Sequence, residues 1–244
     1  MTDKLMTWKR FAGIGCLVAG TIAHGGPAVA EETVHDPLEG FNRGMFAVNE
    51  GLDTVLVKPV AQAYDFAVPL PAKAGVGSFF GNIADFRNVL NNALQGKFAD
   101  AGNDLGRLLI NSTVGIFGLF DVASELGLER HDEDFGQTLA VWGWDDSSFL
   151  FWPIIGPRTV RDTGGWVVDA YTDPTWYTLN KSVAARNSLL ALRFVDVRAS
   201  LLPSDKVVEE AALDKYAYVR DAYLQRRRNQ IFDGRPPRLE DVLD

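Results

Sequence analysis

"SFFGNIADFRNVLNNAL", residues 78–94, decides the fold class. Phe79, Ile83, Phe86, Leu90 and Leu94 recur at spacings of three and four, with Asn82, Asp85, Arg87, Asn91 and Asn92 between them. That period predicts an amphipathic helix, with Ser78 as its cap and Gly96 at its end. A second helix is expected from Phe98 to Ile110, with Ala101, Leu105, Leu108 and Leu109 on one side. Two such helices with a short joint form an antiparallel hairpin.

Upstream, Phe41, Met45, Phe46, Val48 and Leu52 predict one helix, and Val55 to Phe66 another. "VPLPAKAG" (Val68–Gly75) reads as a break, because each proline disfavours helix in the residue before it. Downstream, "NSTVGIFGLFDVASELGL" is apolar on every side around Gly115 and Gly118, a pattern of deep burial or of contact with lipid. The glycines there serve either as hinges or as positions of close packing. Helical period resumes from Ala184 to Leu202, Pro203 is expected to close it, and Ser204 to cap a last helix from Asp205 to about Ile231. No convincing alternation predicts strands. The expectation is an all-α single domain over residues 31–233, with a flexible tail over 234–244.

The first thirty residues follow the grammar of an export signal. Lys4, Lys9 and Arg10 precede an uncharged run, Phe11 to Ala23, and "AVA" ends at Ala30 as a cleavage site. Cys16, the only cysteine, is the alternative feature as a lipid-modified residue, although Gly13, Ile14 and Gly15 before it fit that pattern poorly. Residues 1–30 hold three of the 24 basic and one of the 32 acidic residues, leaving the remainder at −10. Such a charge does not track phosphate backbones, so nucleic acid is not an expected partner. After the signal, the longest uncharged window, Leu108 to Phe120, is too short to span a bilayer as a helix.

Catalytic patterns are sparse. After the signal only His35 and His131 remain, and there is no G-x-S-x-G elbow. "ERHDED" around His131 matches no recognised metal spacing, so no metal site is expected. "GVGSFFG" (Gly75–Gly81) has neither a Lys-Ser/Thr ending nor a preceding strand, which argues for a turn and helix cap.

Four strings, in this order, carry a resemblance: "DPLEGFNR" (Asp36–Arg43), "NSTVGIFGLFDVA" (Asn111–Ala123), "DFGQTLAVWG" (Asp134–Gly143) and "GPRTVRD" (Gly156–Asp162). Together they closely resemble the MlaA (VacJ) family of Gram-negative outer-membrane lipid transport proteins. The motif residues are Asp36, Pro37, Phe41, Asn42, Arg43, Gly115, Gly118, Asp134, Phe135, Gly136, Gly156, Pro157 and Asp162. The resemblance implies a ring-like helical protein with an amphipathic central channel, seated in the periplasmic leaflet of the outer membrane. It implies removal of phospholipid misplaced in the outer leaflet, transfer to the periplasmic carrier MlaC, and association with trimeric porins, with no catalytic residue or cofactor.

On that basis Phe117, Phe120, Phe149, Leu150, Phe151 and Trp152 are candidates for the lipid path or membrane contact. Asn111, Thr113, Gln137 and Arg161 are candidates for polar groups along the channel. The family's lipid-anchored cysteine would correspond to Cys16, whereas the cleavage site at Ala30 would remove it. Two other readings stay open: a periplasmic lipid hydrolase using His131 and the Asp132–Asp134 region, and a scaffold that docks to porins without carrying lipid.

Overall fold

A computed structural model describes residues 36–144, 147–179 and 181–237. The expected signal, with Cys16 and Ala30, lies outside them, as do His35 and the tail from residue 238. Helices dominate, as the period predicts. The first run is α1 (Glu39–Leu52), a π-helical segment (Asp53–Val57) and α2 (Lys58–Ala67), continuous where two helices were expected. The hairpin follows as α3 (Leu70–Leu94) and α4 (Phe98–Thr113). Then come short α5 (Val122–Glu125) and α6 (Phe135–Val141), followed after a hairpin by α7 (Val160–Thr172), α8 (Pro174–Thr178), α9 (Val183–Ala211) and α10 (Lys215–Ile231).

Three boundaries differ from expectation, each for a local reason. α3 begins at Leu70, eight residues before Ser78, since Pro71 occupies the first turn, where a missing N–H costs nothing. Pro203 lies inside α9 instead of closing it. Arg198, before the proline, donates from Nη2 to Asp205 beyond it (2.9 Å), so an ion pair ties the two sides together. The last helix therefore starts at Lys215, and Asp214 caps it by accepting from the Ala217 N–H (3.2 Å).

The principal correction is a β-hairpin. β1 (Phe149–Trp152) pairs antiparallel with β2 (Gly156–Thr159), Phe151 opposite Pro157. Two asparagines seven residues apart on α1, and so on one face, hold it. Asn42 donates to the Phe149 carbonyl (3.1 Å) and accepts from the Phe151 N–H (2.8 Å). Asn49 donates to the Trp152 carbonyl (2.9 Å) and accepts from the Ile154 N–H (2.7 Å). Four residues per strand give period-two patterning too little length to be read, and here the pairing is decided from another element.

Phe149 and Phe151, candidates for the lipid path or membrane contact, are buried in the core. With Tyr216 they form the buried apolar cluster, onto which Met45, Phe46, Val219, Tyr223 and Leu224 pack. The rings meet edge to face, Phe46 and Phe151 at 5.4 Å between centroids. Such pairs contribute roughly 0.5–1.5 kcal/mol beyond their buried area.

Candidate functional site

The polarity of the fold is inverted. Among the described residues nine apolar side chains are buried, five of them alanines, against seventeen polar or charged ones. On α3 Phe80 and Gly81 are buried, but the rest of the buried stripe is Asn82, Asp85, Asn88, Asn91 and Asn92, while Phe79, Ile83, Phe86 and Leu90 are only half-buried and Leu94 is exposed. On α4 the buried stripe is Ala101, Asp104, Arg107 and Asn111, with Phe98, Leu105 and Leu109 outside. Sequence periodicity located both helices, but the face that points inward is the polar one.

That interior is closed by directed bonds. Asn88 donates to the His131 carbonyl (2.7 Å) and accepts from the Glu133 N–H (3.0 Å), and Asn91 accepts from the Thr138 hydroxyl (2.8 Å). Asn92 donates to Asp104 (2.8 Å). Arg107 reaches both Asp121 oxygens (2.9 and 3.0 Å), the Ser124 hydroxyl (3.0 Å) and the Leu128 carbonyl (2.7 Å). Burial alone would raise the Asp121 carboxyl, but hydrogen bonds from Ser124 and Asn111 and the Arg107 charge bring it down to about 2. Asp85 differs. Among the described residues its buried oxygens have no hydrogen-bond partner, with Arg107 Nε 3.6 Å away, and burial pushes its carboxyl up to about 6.

A second knot joins two of the motifs to α10. Arg227 of α10 donates to Asp134 (2.6 and 2.5 Å) and to Asp162 (2.9 Å), and the Tyr223 hydroxyl donates to Asp162 (2.7 Å). Against the effect of burial, Arg227 holds Asp134 down at about 2. Gly136 makes room, because a Cβ there would lie 2.5 Å from Arg227 Nη2 and 2.6 Å from Asp162 Oδ1. A third contact closes the N-terminal motif: Asn42 donates to Asp36 (2.9 Å), which also accepts from Tyr216, while Arg43 pairs with Asp214 (2.7 Å). Pro37 and Phe41 are exposed.

The expected polar-path residues are mostly engaged structurally. Asn111 donates to Asp121 (2.9 Å) and accepts from the Ala123 N–H (2.9 Å). Gln137 donates to the Asp132 carbonyl (2.7 Å), and Arg161 to the Trp144 carbonyl (2.9 Å). Thr113 is exposed and bonds its own helix at Leu109 (2.7 Å).

Outside lies the apolar surface. Phe66 is 94% exposed and Phe117 77%, and Val55, Leu56, Leu70, Phe98, Val114, Ile116 and Phe120 are also exposed. The Ile116–Phe117 tip has left-handed backbone (φ 51° and 56°), a conformation costly for a β-branched residue. Gly115 and Gly118 are close-approach positions, since a Cβ would meet the Phe120 carbonyl at 2.2 Å and Asn82 Cβ at 2.6 Å respectively. Four tryptophans, Trp142, Trp144, Trp166 and Trp176, are also exposed. Leu150 and Trp152 are half-buried, and the Trp152 indole donates to Thr163 (2.9 Å).

His131 Nδ1 lies 2.8 Å from buried Asp104, and its Nε2 faces the Asp100 carboxylate at 3.8 Å. The outer ring nitrogen thus meets an anion rather than a hydroxyl.

Residues 34–230 match the family model described as MlaA lipoprotein. The intermembrane phospholipid transport system lipoprotein MlaA of Escherichia coli (strain K12) is 35% identical over 218 residues, 87% of this chain and 82% of that protein. An uncharacterised protein of Rickettsia bellii (strain RML369-C) is 36% identical over 199 residues, covering 81% and 77%. A solved chain from work on the structural basis for maintenance of bacterial outer membrane lipid asymmetry aligns with a TM-score of 0.70 and 32% identity, over 82% of this chain and 99% of that one. The sequence motifs, the knots that join them and these likenesses together make the chain a member of the MlaA lipoprotein family.

Proposed function

We propose that this protein is the outer-membrane component of a phospholipid transport system that maintains lipid asymmetry. In this reading it takes phospholipid misplaced in the outer leaflet through an amphipathic channel and passes it to the periplasmic carrier MlaC. It sits in the periplasmic leaflet beside trimeric porins, after export by the N-terminal signal. The domain spans residues 31–233. The observation that carries this reading is the inverted polarity: large apolar side chains face outward around a hydrogen-bonded polar interior. In water such a surface drives aggregation, whereas against acyl chains it is solvated. No helix among the described residues is long and apolar enough to cross a membrane, which suits a seat within one leaflet. Family membership and the names of the relatives support the substrate class.

The test is lipid transfer from vesicles that contain the purified protein to added carrier, with mass spectrometry of the protein's N-terminus and bound lipid. Phospholipid that copurifies and moves to the carrier is the expected result; a lipid-free, detergent-independent protein would sink the reading. His131→Ala should leave transfer intact, since the histidine here braces Asp104, and loss of transfer with an unchanged melting temperature would favour hydrolysis.

A further inference from the structure

The α1–α2 run and helices α9 and α10 flank an open cleft of about 310 Å³, close to the lower end (about 300 Å³) for small-molecule sites. Its lining differs from the apolar surface around it. Lys58, Arg198 and Lys215 face Glu50, Asp53, Asp205 and Glu209, with Phe46, Val208 and Val219 as apolar wall. The π-helical segment builds this arrangement. The Lys58 N–H bonds to the Asp53 carbonyl, five residues back, which stacks Lys58 beside Asp53 on one side. In an α-helix five residues turn by about 500°, so Lys58 would point about 140° away. Single π turns of this kind recur at functional sites.

The charges are paired incompletely. Arg198 grips Asp53 (2.7 Å) and Asp205 (2.9 Å), yet its Nη1 is buried with no hydrogen-bond partner among the described residues. Lys58 shares Asp205 with it (2.9 Å) and holds Glu209 only at 3.8 Å, and the Glu209 side chain is 56% exposed. The cleft therefore holds one guanidinium nitrogen without an acceptor among the described residues, beside an exposed carboxylate that Lys58 reaches only at 3.8 Å. An anion alone would meet a lining with one more carboxylate than cations, and a cation alone would meet Lys58 and Lys215. A ligand with both signs answers each side.

We propose that this cleft binds the zwitterionic phosphate–amine headgroup of a phospholipid, with the phosphodiester on Lys58 and Arg198 and the ammonium on Glu209. Phe46, Val208 and Val219 face the glycerol end. The assignment rests on the transport reading and adds headgroup selection to it.

The experiment is calorimetric titration of the detergent-solubilised protein with dihexanoyl phosphatidylethanolamine and dihexanoyl phosphatidylglycerol, repeated with Glu209→Gln and Lys58→Gln. The wild type should bind the ethanolamine probe about tenfold more tightly, which corresponds to about 1.4 kcal/mol. Glu209→Gln, a change at an exposed position, should abolish the preference, and Lys58→Gln should weaken both probes. Equal affinities in the wild type, or a preference that survives Glu209→Gln, overturns the proposal. Either of those results with transfer to the carrier intact leaves the transport reading standing, whereas absence of any bound or transferred phospholipid removes that reading.

Discussion

Asp85 and Gly136 show how single residues are held in an interior made of charge. Asp85 has a folded-state pKa of about 6 against an ordinary 3.8, so the folded state binds the proton more tightly. Its contribution to stability is therefore greatest below about 4 and is lost as pH rises through about 6. Asp121 and Asp134 run the other way: each is held at about 2, so their contribution is present above about 4 and lost as pH falls towards 2. Asp85→Asn should raise the melting temperature at pH 7 and flatten the decline between pH 4 and 6; an unchanged or lower value at pH 7 would show that the carboxylate is needed in its charged form. Gly136→Ala forces a methyl against Arg227 and Asp162. The expected cost is about 1–3 kcal/mol, read by denaturant unfolding.

The β-hairpin shows an element defined by its neighbours. Its four-residue strands rest on Asn42 and Asn49 of α1 and on the aromatic cluster beneath. Asn42→Ala strips a buried carbonyl and a buried N–H of their partner, a loss of about 1–3 kcal/mol for each unsatisfied group. Phe151→Asp places a charge in the cluster and should abolish cooperative unfolding; a folded protein that had lost only lipid association would return Phe151 to the surface. The motif "DPLEGFNR" was legible in the sequence as something specific, but its task was not, because Phe149 and Phe151 lie more than a hundred residues away. Arg227 was missed for a related reason. Arg226, Arg227 and Arg228 are alike in the sequence, and only their partners show that the middle one turns inward to Asp134 and Asp162.

At the scale of the whole molecule the apolar exterior should be dispensable for folding and required for lipid. Phe66 and Phe117 make little buried contact, so the double change Phe66→Ser with Phe117→Ser should leave the melting temperature nearly unchanged. The same variant should partition less into liposomes in a flotation assay. Equal flotation would place the membrane contact elsewhere on the surface. Arg107→Met makes the opposite case, because it takes the paired guanidinium from half-buried Asp121 and leaves buried Asp85 only the charge of Arg130. Breaking such a pair costs about 3–5 kcal/mol.

The sequence by itself determined the helices, the single domain and the four motifs, because these depend on the spacing of residues along the chain. It also held a clue to the inversion: the polar stripe of α3 consists of short asparagines and one aspartate, where a solvent face favours long lysines and glutamates. Only the tertiary structure decided which face of each helix turned inward. A helical period is the same whether its apolar side meets protein or lipid, and the sign is set by long-range partners: Asn88 on the Glu133 strand of chain, Arg107 on Asp121, and Arg227 on Asp134. The cleft at the π-helical segment belongs to that second class as well. One extra residue in a turn leaves no mark in the hydrophobic pattern, yet it sets Lys58 beside Asp53 and opposite Arg198.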